Sequence, residues 1–435
     1  MKITAEITHK DKMYKYISDN TSDIENNSKV LFVKTAQNSK YFDTLDSKPT
    51  YITPKELISL WGLECMKVVG VTGTNGKTTV TAAIYSLLID LGYTVGLQGT
   101  RGVFANDEKI VDKSMTTPSI LETLYNMRLC SEYGCEYFVM EVSSHAIDQN
   151  RIEDLKFALK VHTNVTSDHL DYHKTVEEYR RVKSLFFADE SLKLLNKDDI
   201  KHITYNIKNA QSYGIDEPAT LKVQAYSLLN GIVAGLKYMN EEATFSSPMV
   251  GLFNLSNLLA AIGAVKMLTD KPLQEICDVV ENFGGVAGRM EVVSQNPLVI
   301  VDFAHTDDGM YQVLDSIKDK DIVVVFGAGG NRDKAKRPRM GAVAGRFAKK
   351  IYVTSDNPRD EVPEQILEDI LVGLRGKENV VATPDRKLAI KMALEDLKDD
   401  EVLLILGKGD ETYQEVKGVK YPFDDREVVR ELLSQ

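Results

Sequence analysis

The sequence predicts an α/β protein whose sheets are mainly parallel, and three observations predict it. The chain has 435 residues, more than one hydrophobic core normally serves, which implies roughly two to four domains. Short apolar runs alternate with segments of helical period, which is the texture of repeated β-α-β units. Polar motifs follow the strands directly, as functional groups do beyond the carboxyl ends of parallel strands.

Two changes in the pattern of polar and apolar residues divide the chain into three predicted domains. Residues 1–65 are polar and contain one short strand candidate, KVLFVK at 29–34. Apolar strands begin near residue 66, and the strand–helix alternation restarts after GGVAGRMEVV at 284–293. The predicted domains are a short N-terminal domain at 1–65, a central domain with a mainly parallel sheet at 66–290, and a C-terminal Rossmann-like α/β domain at 291–435.

The central region opens with a strand that is apolar on both faces. This strand, MKVVGVTG at 66–73, leads through a loop of small residues into a helix that ends at Gly92. The apolar positions of that helix recur at helical spacing and are Val80, Ile84, Leu87, Leu88 and Leu91. Two further strands, at 137–145 and 160–173, run into polar tips, and FNLSNLLAAIGAVKML at 253–268 is predicted to be a helix.

The last third of the chain repeats the alternation. Strands are predicted at LVIVDFAH, DIVVVFGAGG, KIYVTSD, NVVATP and EVLLILGKGD. Helical patterns lie at about 338–349, 363–375 and 385–397.

Composition and charge argue against several classes of function. The formal net charge is −11, whereas nonspecific nucleic-acid binding needs a basic face. No stretch approaches the ~20 continuous apolar residues of a membrane helix. The N-terminal residues MKITAEITHKDK lack an apolar export segment, so we expect a cytoplasmic protein without membrane partners. The four cysteines lack paired CxxC spacing and are expected to be reduced structural thiols.

A glycine-containing loop between the first central strand and its helix predicts a phosphate site. The segment GTNGKTT departs from the strict pattern GxxxxGK[ST] because Val71 stands where the first glycine would be. Backbone N–H groups and a helix N-terminus favour an anion there, Lys77 can reach the β- and γ-phosphates, and Thr78 can offer its hydroxyl to Mg²⁺. The alternative is a glycine-rich turn without a ligand. The predicted nucleotide-binding residues are Gly73, Thr74, Asn75, Gly76, Lys77, Thr78 and Thr79.

Candidate ligands for Mg²⁺ stand at the tips of two strands. They are Glu141 at one tip and Asp168, His169, Asp171 and His173 at the other. Taken singly, each histidine is more often a surface or core residue than a ligand, but two such clusters on one sheet favour a site. Lys183, in YRRVKSLFF, is expected from spacing alone to be a solvated helix residue.

In this order the motifs resemble the Mur ligase family, the ATP-dependent amide-forming enzymes of peptidoglycan precursor synthesis. The resemblance covers about residues 66–430 and rests on GTNGKTT, EVSSHAIDQNR, TNVTSDHLDYH, FNLSNLLAA, GRME and VDFAHT. It implies a short N-terminal domain for a UDP-linked substrate, a central P-loop ATPase domain and a C-terminal domain that binds an amino acid.

The resemblance implies ATP and Mg²⁺ as cofactors and suggests roles by position. The catalytic residues would be Lys77, Lys183 and His169. The magnesium ligands would be Thr78, Glu141 and His169. Asn257 is expected near adenine, and Arg289 and Asp302 near ribose or phosphate. The resemblance also implies that Lys183 is carbamylated to N6-carboxylysine, whose carboxylate helps to place a second Mg²⁺, in contrast to the expectation from spacing.

The C-terminal motifs resemble the branch of the family that adds meso-2,6-diaminopimelate to UDP-N-acetylmuramoyl-L-alanyl-D-glutamate. GAGGNRDKAKRPRM, DNPR, GKGDETYQ and FDDRE carry this resemblance. It implies an acyl phosphate formed at the glutamate γ-carboxylate, which the incoming amine attacks. The residues expected to hold the UDP-dipeptide are Ser22, Thr116, Thr117, Ser143 and Arg151. Those expected around the diamino acid are Arg332, Asp356, Asn357, Arg359, Gly407 and Glu411.

Chemistry supports diaminopimelate, and three alternatives stay open. Diaminopimelate differs from lysine by one carboxylate, which a guanidinium at Arg359 can bind through two parallel hydrogen bonds, while Glu411 binds the amine. The alternatives are a lysine-adding ligase, a folylpolyglutamate synthetase and, from another class, an ATP-binding regulatory module without ligase activity. The C-terminal motifs argue against the second, and the acceptor-site residues argue against the third. A monomer is expected.

Overall fold

The computed structural model describes residues 1–24, 29–112, 115–166, 168–229 and 231–434, without the side chain of Asp171. The chain forms two compact units. The first comprises Met1–Tyr226, Val233–Ser246 and Ser256–Phe283, and the second comprises Ser227–Ile232, Ser247–Leu255 and Gly284–Gln435. Sheets in which most described strand pairs are parallel combine with helices, which confirms the predicted α/β class. The three-domain division at 65 and 290 stays a prediction.

The N-terminal strands form a sheet of their own in the order β1-β2-β3-β4. They are β1 Lys2–His9, β2 Lys12–Ser18, β3 Val30–Val33 and β4 Tyr51–Ile52. β3 is the strand predicted from KVLFVK. The accompanying helices are α1 Ser39–Asp43 and α2 Pro54–Leu60. α2 begins with a capping box, in which Thr53 and Glu56 each accept a backbone N–H of the other.

An eleven-stranded sheet contains the strands predicted for the central region, in the order β15-β14-β13-β12-β11-β10-β5-β9-β6-β7-β8. The strands are β5 Lys67–Thr72, β6 Val95–Gly99, β7 Gly102–Ala105, β8 Glu108–Val111, β9 Tyr137–Glu141, β10 Phe157–His162, β11 Lys193–Asn196, β12 Ala210–Gly214, β13 Leu221–Ser227, β14 Ile232–Tyr238 and β15 Glu241–Ser247. β5 pairs in parallel with β9 and with β10. The segments that follow these three strands therefore emerge at one edge of the sheet.

The helices between Lys77 and Asp278 include both helices predicted for the central region. They are α3 Lys77–Asp90, α4 Ile120–Glu132, α5 Ser144–Asp148, α6 Leu170–His173, α7 Val176–Leu185, α8 Leu252–Leu268 and α9 Leu273–Asp278. α3 buries the predicted apolar face, and Gly92 follows it with φ +88°. Within the described ranges, no helix is long and apolar enough to cross a membrane.

The second unit contains a six-stranded sheet in the order β16-β17-β21-β18-β19-β20. Its strands are β16 Glu291–Gln295, β17 Leu298–Asp302, β18 Asp321–Phe326, β19 Lys350–Val353, β20 Val380–Ala382 and β21 Glu401–Leu406, and a hairpin follows as β22 Tyr413–Val416 and β23 Val419–Pro422. The helices are α10 Asp307–Asp315, α11 Lys336–Phe347, α12 Pro363–Leu371, α13 Arg386–Glu395 and α14 Asp425–Leu433. The strands and helices predicted for this region are confirmed; β16, α10, α14 and the hairpin were not predicted.

A buried ion pair fixes the ends of two strands in this sheet. Arg386 and Asp425 are both fully buried and form two parallel hydrogen bonds of 2.7 Å. The Arg386 guanidinium also donates to the carbonyl oxygens of Ser355, at 3.2 Å, and Leu406, at 3.1 Å. These carbonyls lie directly before Asp356 and Gly407. The pair therefore sets the positions at which two of the predicted substrate loops begin.

Replacing Arg386 with Met is expected to lower the free energy of unfolding by about 3–5 kcal/mol, because Asp425 would be left buried and unpaired. The double variant Arg386→Met/Asp425→Leu should recover part of this loss. The measurement is the shift in urea midpoint of the unfolding transition.

Arg430→Met is the matched control, because Arg430 is half exposed and pairs with Glu427 at the surface; its effect should not exceed about 1 kcal/mol. Equal shifts in the two single variants would contradict the role of the buried pair.

Candidate active site

The loop after β5 requires glycine at two positions. Gly76, directly before α3, has φ +84°, a left-handed conformation that favours glycine. At Gly73 a β-carbon would lie 1.8 Å from the hydroxyl oxygen of Thr163. The loop therefore packs against the segment after β10 with no room for a side chain, and the N-terminus of α3 stands at its end.

The segment after β10 holds the loop backbone. The Asn164 carbonyl accepts a hydrogen bond from the Thr74 N–H at 2.8 Å, and the Asn164 side-chain oxygen accepts one from the Asn75 N–H at 2.9 Å. The Thr163 hydroxyl donates to the Asn75 carbonyl at 2.6 Å. Because these two amides bind within the protein, the N–H groups from Gly76 onward, at the helix N-terminus, are the candidates for holding phosphate.

Lys77 and Thr79 lie in the first turn of α3 with different environments. The Lys77 ammonium donates to the carbonyl oxygens of Gly73 and Thr74, each at 2.9 Å. It therefore folds over the loop, where a bound phosphate would compete for it. Thr79 is buried.

Thr78 and Glu141 form an oxygen-rich pair at the edge of the sheet. Glu141 ends β9 and is buried; its carboxylate accepts from the Thr78 hydroxyl at 3.0 Å and from the Thr100 N–H at 2.9 Å. Mg²⁺ takes oxygen ligands and usually one or two carboxylates beside phosphates and water. The residues present therefore fit a magnesium ion bound together with a nucleotide.

His169 lies in a cluster of rings. The ring centroid of His145 is 4.9 Å from that of His169, 4.3 Å from that of Tyr172 and 5.6 Å from that of His173. Burial lowers the pKa of His169, while Asp168 raises it and His145 lowers it. The net downward shift favours a neutral imidazole, which is the form that binds metal.

The predicted ligands are brought together only in part. The Thr78–Glu141 contact unites two of them, but no group of three or more His, Cys, Asp or Glu side chains among the described residues could hold a metal ion. The magnesium role of His169 stays a prediction, and the side chain of Asp171 lies outside the described residues.

Lys183 is buried, and the expectation of a solvated residue from spacing is wrong. Its side-chain nitrogen donates to the Gly73 carbonyl at 2.8 Å and lies 4.9 Å from the centre of the Tyr179 ring. The physical reason is that α7 turns the face with these two residues toward the loop. Burial, followed by the charge of Lys77, holds the pKa of Lys183 well below its usual value. This shift favours the neutral amine.

Four of the five residues predicted for the UDP-dipeptide lie in one hydrogen-bonded group beside Glu141. The Thr117 hydroxyl donates to the Glu141 carbonyl at 2.9 Å and accepts from the Ser143 N–H at 3.0 Å. The Arg151 guanidinium donates to the Thr117 carbonyl at 2.9 Å. The hydroxyl oxygens of Thr116 and Thr100 are 3.2 Å apart. Lys113 and Ser114, just before this group, lie outside the described residues.

Ser22 lies in an exposed turn of the N-terminal segment, at Thr21–Asp23. Nearby, Asp19 accepts a hydrogen bond from the Ser119 hydroxyl at 3.1 Å. This contact joins the N-terminal segment to the chain just after Thr117. Residues 25–28, which follow this turn, lie outside the described residues, and the role of Ser22 in binding the UDP-dipeptide stays a prediction.

Asn257 lies against the loop of residues 73–76 between β5 and α3, which is the predicted phosphate-site loop. A β-carbon at Gly76 would be 2.4 Å from the Asn257 side-chain oxygen. The FNLSNLLAA motif on α8 thus places an amide next to the start of α3.

Arg289 and Asp302 lie together in the second unit. The Asp302 carboxylate is buried and accepts from the N–H groups of Met290, at 2.8 Å, and Ala304, at 2.7 Å. Burial raises the pKa of Asp302, and the nearby Arg289 lowers it. The Arg289 guanidinium lies over the Phe303 ring at 4.3 Å. Both side chains are thus held near the turn after β17, and their role at ribose or phosphate stays a prediction.

Three loops at the carboxyl ends of neighbouring parallel strands carry the residues predicted for the diamino acid. They are Arg332 after β18, Asp356, Asn357 and Arg359 after β19, and Gly407 and Glu411 after β21. A β-carbon at Gly407 would lie 2.5 Å from the Asp356 carboxylate. The nearby Asp356 Oδ2 is buried without a hydrogen-bond partner among the described residues, and such an acceptor suits an ammonium group.

Arg359 and Glu411 lie on two of these loops, and Glu415 links their contacts, because its backbone N–H donates to Asn357 Oδ1 at 2.9 Å. The Arg359 guanidinium donates to the Gly330 carbonyl at 2.8 Å and lies 3.4 Å from the Glu415 carboxylate. The Asn357 side-chain amide donates to Glu411 at 2.8 Å. The loops therefore bring a guanidinium and a carboxylate close to the same side chains, whereas Arg332 is exposed.

Sequence reasoning missed three buried polar groups near these sites: Lys408, His162 and the Arg386–Asp425 pair. Lys408 stands between two glycines directly after a buried strand, a position that could have marked it. His162 is a polar residue at the end of an apolar strand. No sequence spacing relates Arg386 to Asp425, because their contact spans 39 residues.

Two parts of the chain match domain families. Residues 71–265 match the Mur ligase middle domain, and residues 288–409 match the Mur ligase glutamate ligase domain. A relative from Helicobacter hepaticus is 50% identical over 99% of this chain and 98% of its own length. This chain belongs to the Mur ligase family.

Named members of the Mur ligase family extend the comparison. The relative from Helicobacter hepaticus and one from Wolinella succinogenes, which is 50% identical over 98% of each chain, are both named UDP-N-acetylmuramoyl-L-alanyl-D-glutamate–2,6-diaminopimelate ligase. A solved structure with that title has 27% identity and a TM-score of 0.69, and covers 99% of this chain and 97% of that chain. A folylpolyglutamate synthase from Mycobacterium tuberculosis, complexed with ADP and AMPPCP, shares the fold at 15% identity and a TM-score of 0.65, covering 81% of this chain and 91% of its own.

His162 is a buried imidazole at the end of β10 in this Mur ligase. Its side chain is fully buried, and neither ring nitrogen has a hydrogen-bond partner in the described part of the chain. The Asp199 carboxylate lies 3.6 Å away. Burial, with the charges of Lys183 and His202, lowers the pKa of His162 to about 3. The folded protein thus keeps this ring neutral at a pH where an unfolded chain protonates it.

As the pH falls from 7 to 5, His162 is expected to lower the free energy of unfolding by about 2 kcal/mol. The reason is that its pKa is depressed in the folded protein, so that only the unfolded chain takes up the proton over this range. The contribution is present above about pH 6.5 and is lost as the pH falls toward the folded value. His162→Phe should therefore show a weaker pH dependence in urea unfolding over this range.

His305→Phe, at an exposed histidine, is the control and should keep the pH dependence of the parent protein. If His162→Phe also keeps it, the assignment to His162 is wrong.

Proposed function

We propose that this chain is an ADP-forming ligase of peptidoglycan precursor synthesis that joins meso-2,6-diaminopimelate to UDP-N-acetylmuramoyl-L-alanyl-D-glutamate. The observation that carries the proposal is the 50% identity, over 99% of this chain, to a relative named for this reaction. Its proposed partners are these two small molecules, with ATP, in the cytoplasm; nucleic acids and membranes have no part in it.

ATP is proposed to activate the γ-carboxylate of the D-glutamate residue. A carboxylate resists attack by an amine because its charge is delocalised and oxide is a poor leaving group. Transfer of the γ-phosphoryl group of ATP gives an acyl phosphate and ADP. Attack by the amine then forms the amide and releases phosphate and a proton. Such a reaction depends on positioning and on neutralising the transferred charge.

The phosphate-site loop has the groups for this positioning. Lys77 would exchange the carbonyl oxygens of Gly73 and Thr74 for phosphate oxygens. Thr78 and Glu141 would hold Mg²⁺, which supplies charge neutralisation for the phosphates when bound. Asn257, beside Gly76, lies where it could contact the nucleotide.

Lys183 has the environment of a carbamylation site. A neutral amine adds CO₂ to form a carbamate and releases one proton, so the lowered pKa of Lys183 favours the reaction. The product would place a carboxylate next to the Gly73 carbonyl, where the amine now lies. That carboxylate is the group proposed to help hold a second Mg²⁺.

The UDP-dipeptide is proposed to lie along the group formed by Thr116, Thr117, Ser143 and Arg151. This group supports the proposal because Thr117 contacts Glu141, and Glu141 contacts Thr78 in the phosphate-site loop. A glutamate γ-carboxylate held there would lie near the phosphate that it accepts. Arg151 offers the positive charge that an anionic substrate requires.

The diamino acid pocket is proposed to select the distal zwitterion of diaminopimelate. Arg359 would bind the distal carboxylate, and Glu411 and Asp356 would bind ammonium groups. Lysine lacks that carboxylate and would leave Arg359 without this partner, at a cost of about 1–3 kcal/mol. This argument favours diaminopimelate over L-lysine. It also disfavours a regulatory ATP-binding module, which would need no acceptor pocket.

Purified protein supplied with ATP, Mg²⁺, the UDP-dipeptide and meso-diaminopimelate should release ADP and form the UDP-tripeptide. Products are identified by mass spectrometry, and L-lysine is offered in a parallel reaction. ADP release that does not depend on the amino acid, with no lengthened product, would favour the regulatory module. A lysine product of equal yield would contradict the proposed selectivity.

Arg359→Ala is expected to raise the KM for diaminopimelate about 10- to 100-fold, the equivalent of about 1–3 kcal/mol, while the affinity for ATP changes little. Steady-state kinetics at saturating ATP and UDP-dipeptide test this. The control is Arg375→Ala, which alters an exposed arginine of the same unit. An equal loss of ATP affinity in Arg359→Ala would contradict a role confined to the diamino acid.

A further inference from the structure

Lys408 is a buried lysine inside the proposed diamino acid pocket. Its side chain has no exposed area, and its ammonium donates to Glu411 Oε2 at 3.0 Å and to Asn357 Oδ1 at 3.1 Å. The Tyr413 ring centre lies 5.7 Å from the same nitrogen. Because it is fully enclosed, Lys408 can act on a substrate only through the groups that it touches.

The first of these groups is the Asn357 amide, whose orientation the contacts fix. Asn357 Oδ1 accepts from the Glu415 backbone N–H at 2.9 Å, and that N–H can only donate. Lys408 donates to the same oxygen, so the amide nitrogen is the end that faces Glu411, at 2.8 Å. Lys408, Asn357 and Glu411 are therefore linked pairwise by three hydrogen bonds.

The second group is the Glu411 carboxylate, which is partly exposed. The hydrogen bonds from Lys408 and Asn357 both end on Oε2. They leave Oε1 as the oxygen that these bonds do not use, on a side chain that is 21% exposed. Lys408 thus orients Glu411 and offsets its negative charge through the contact with Oε2.

Opposite charges are also paired in the neighbouring part of the pocket. Arg359 lies 3.4 Å from the Glu415 carboxylate, and Lys408 lies 3.0 Å from the Glu411 carboxylate. A pocket of two such pairs complements a zwitterion, which has one charge of each sign. Without Lys408, the Glu411 charge would be uncompensated in a low-dielectric site and would favour a lone ammonium.

We propose that Lys408 is a positioning and specificity-determining residue of the diamino acid pocket. It holds Asn357 and Glu411 in one arrangement and balances the charge of Glu411, so that the pocket prefers a terminal group with both an ammonium and a carboxylate over a lone ammonium. The inference rests on the proposed function and extends it to a residue that contacts no substrate.

The test is steady-state kinetics of full-length Lys408→Met, a substitution of similar length without charge. The KM for meso-diaminopimelate should rise about tenfold or more, while the KM values for ATP and the UDP-dipeptide change less than about twofold. The ratio of kcat/KM for diaminopimelate to that for L-lysine should fall about tenfold or more. Lys408→Arg, which keeps the charge, should retain more of this ratio than Lys408→Met.

The matched control is Lys318→Met, which removes an exposed lysine paired with Asp315 in the same unit. It should leave all three KM values and the selectivity ratio as in the parent protein. Thermal unfolding and ATP affinity of each variant show whether the chain is folded. If Lys408→Met is not folded, the comparison of Lys408→Gln with Lys408→Arg replaces it, with the neutral variant expected to lose selectivity.

Three outcomes would overturn the inference. One is a fall in kcat/KM of the same size for both diamino acids, which indicates a structural role alone. Another is a parallel rise in all three KM values. The third is an unchanged selectivity ratio in the folded neutral variants. If the parent protein forms no tripeptide, the proposed function is refuted instead. The activity of the parent protein is therefore measured before that of any variant.

Discussion

The parallel pairing of β5 with β9 and β10 is the constraint on which the candidate active site depends. It brings the phosphate-site loop, Glu141 and the Thr163–Asn164 segment to one edge of the sheet. The close approach at Gly73 and the hydrogen bonds of Asn164 then fix the loop backbone. A backbone held in this way would lower the cost of ordering the loop around the proposed nucleotide.

The second unit places the residues proposed for the diamino acid in the same kind of arrangement, at the carboxyl ends of parallel strands. β21 lies between β17 and β18 in parallel, so the turn at Asp302 and the loop at Gly407 are adjacent, and the Gly407 N–H donates to the Asp302 carbonyl at 3.0 Å. The Arg386–Asp425 pair ties the same strand end to that of β19. The proposed site for the diamino acid therefore has its side chains on loops that start from fixed strand ends.

Three buried basic side chains illustrate how the protein handles charge in its interior. Arg386 is matched by a buried carboxylate, Lys408 by a carboxylate and an amide oxygen, and Lys183 by a backbone carbonyl. A full partner keeps the first one charged, whereas burial and the neighbouring Lys77 lower the pKa of Lys183. Desolvation disfavours an unpaired charge, so the lowered pKa of Lys183 and the ion pair at Lys408 follow from the same physical rule.

The sequence by itself determined the α/β class, the strands and helices around the phosphate-site loop, and the motifs that identify the family, because periodicity and glycine placement are local properties. It could not determine that Lys183 is buried, because the spacing of residues along a helix is the same whether a side chain faces solvent or protein. It also could not relate Arg386 to Asp425, or Lys408 to Asn357, because these contacts depend on which strands are neighbours. Only the tertiary structure decided which polar residues lose water and which partners they gain, and that exchange sets their charge and orientation.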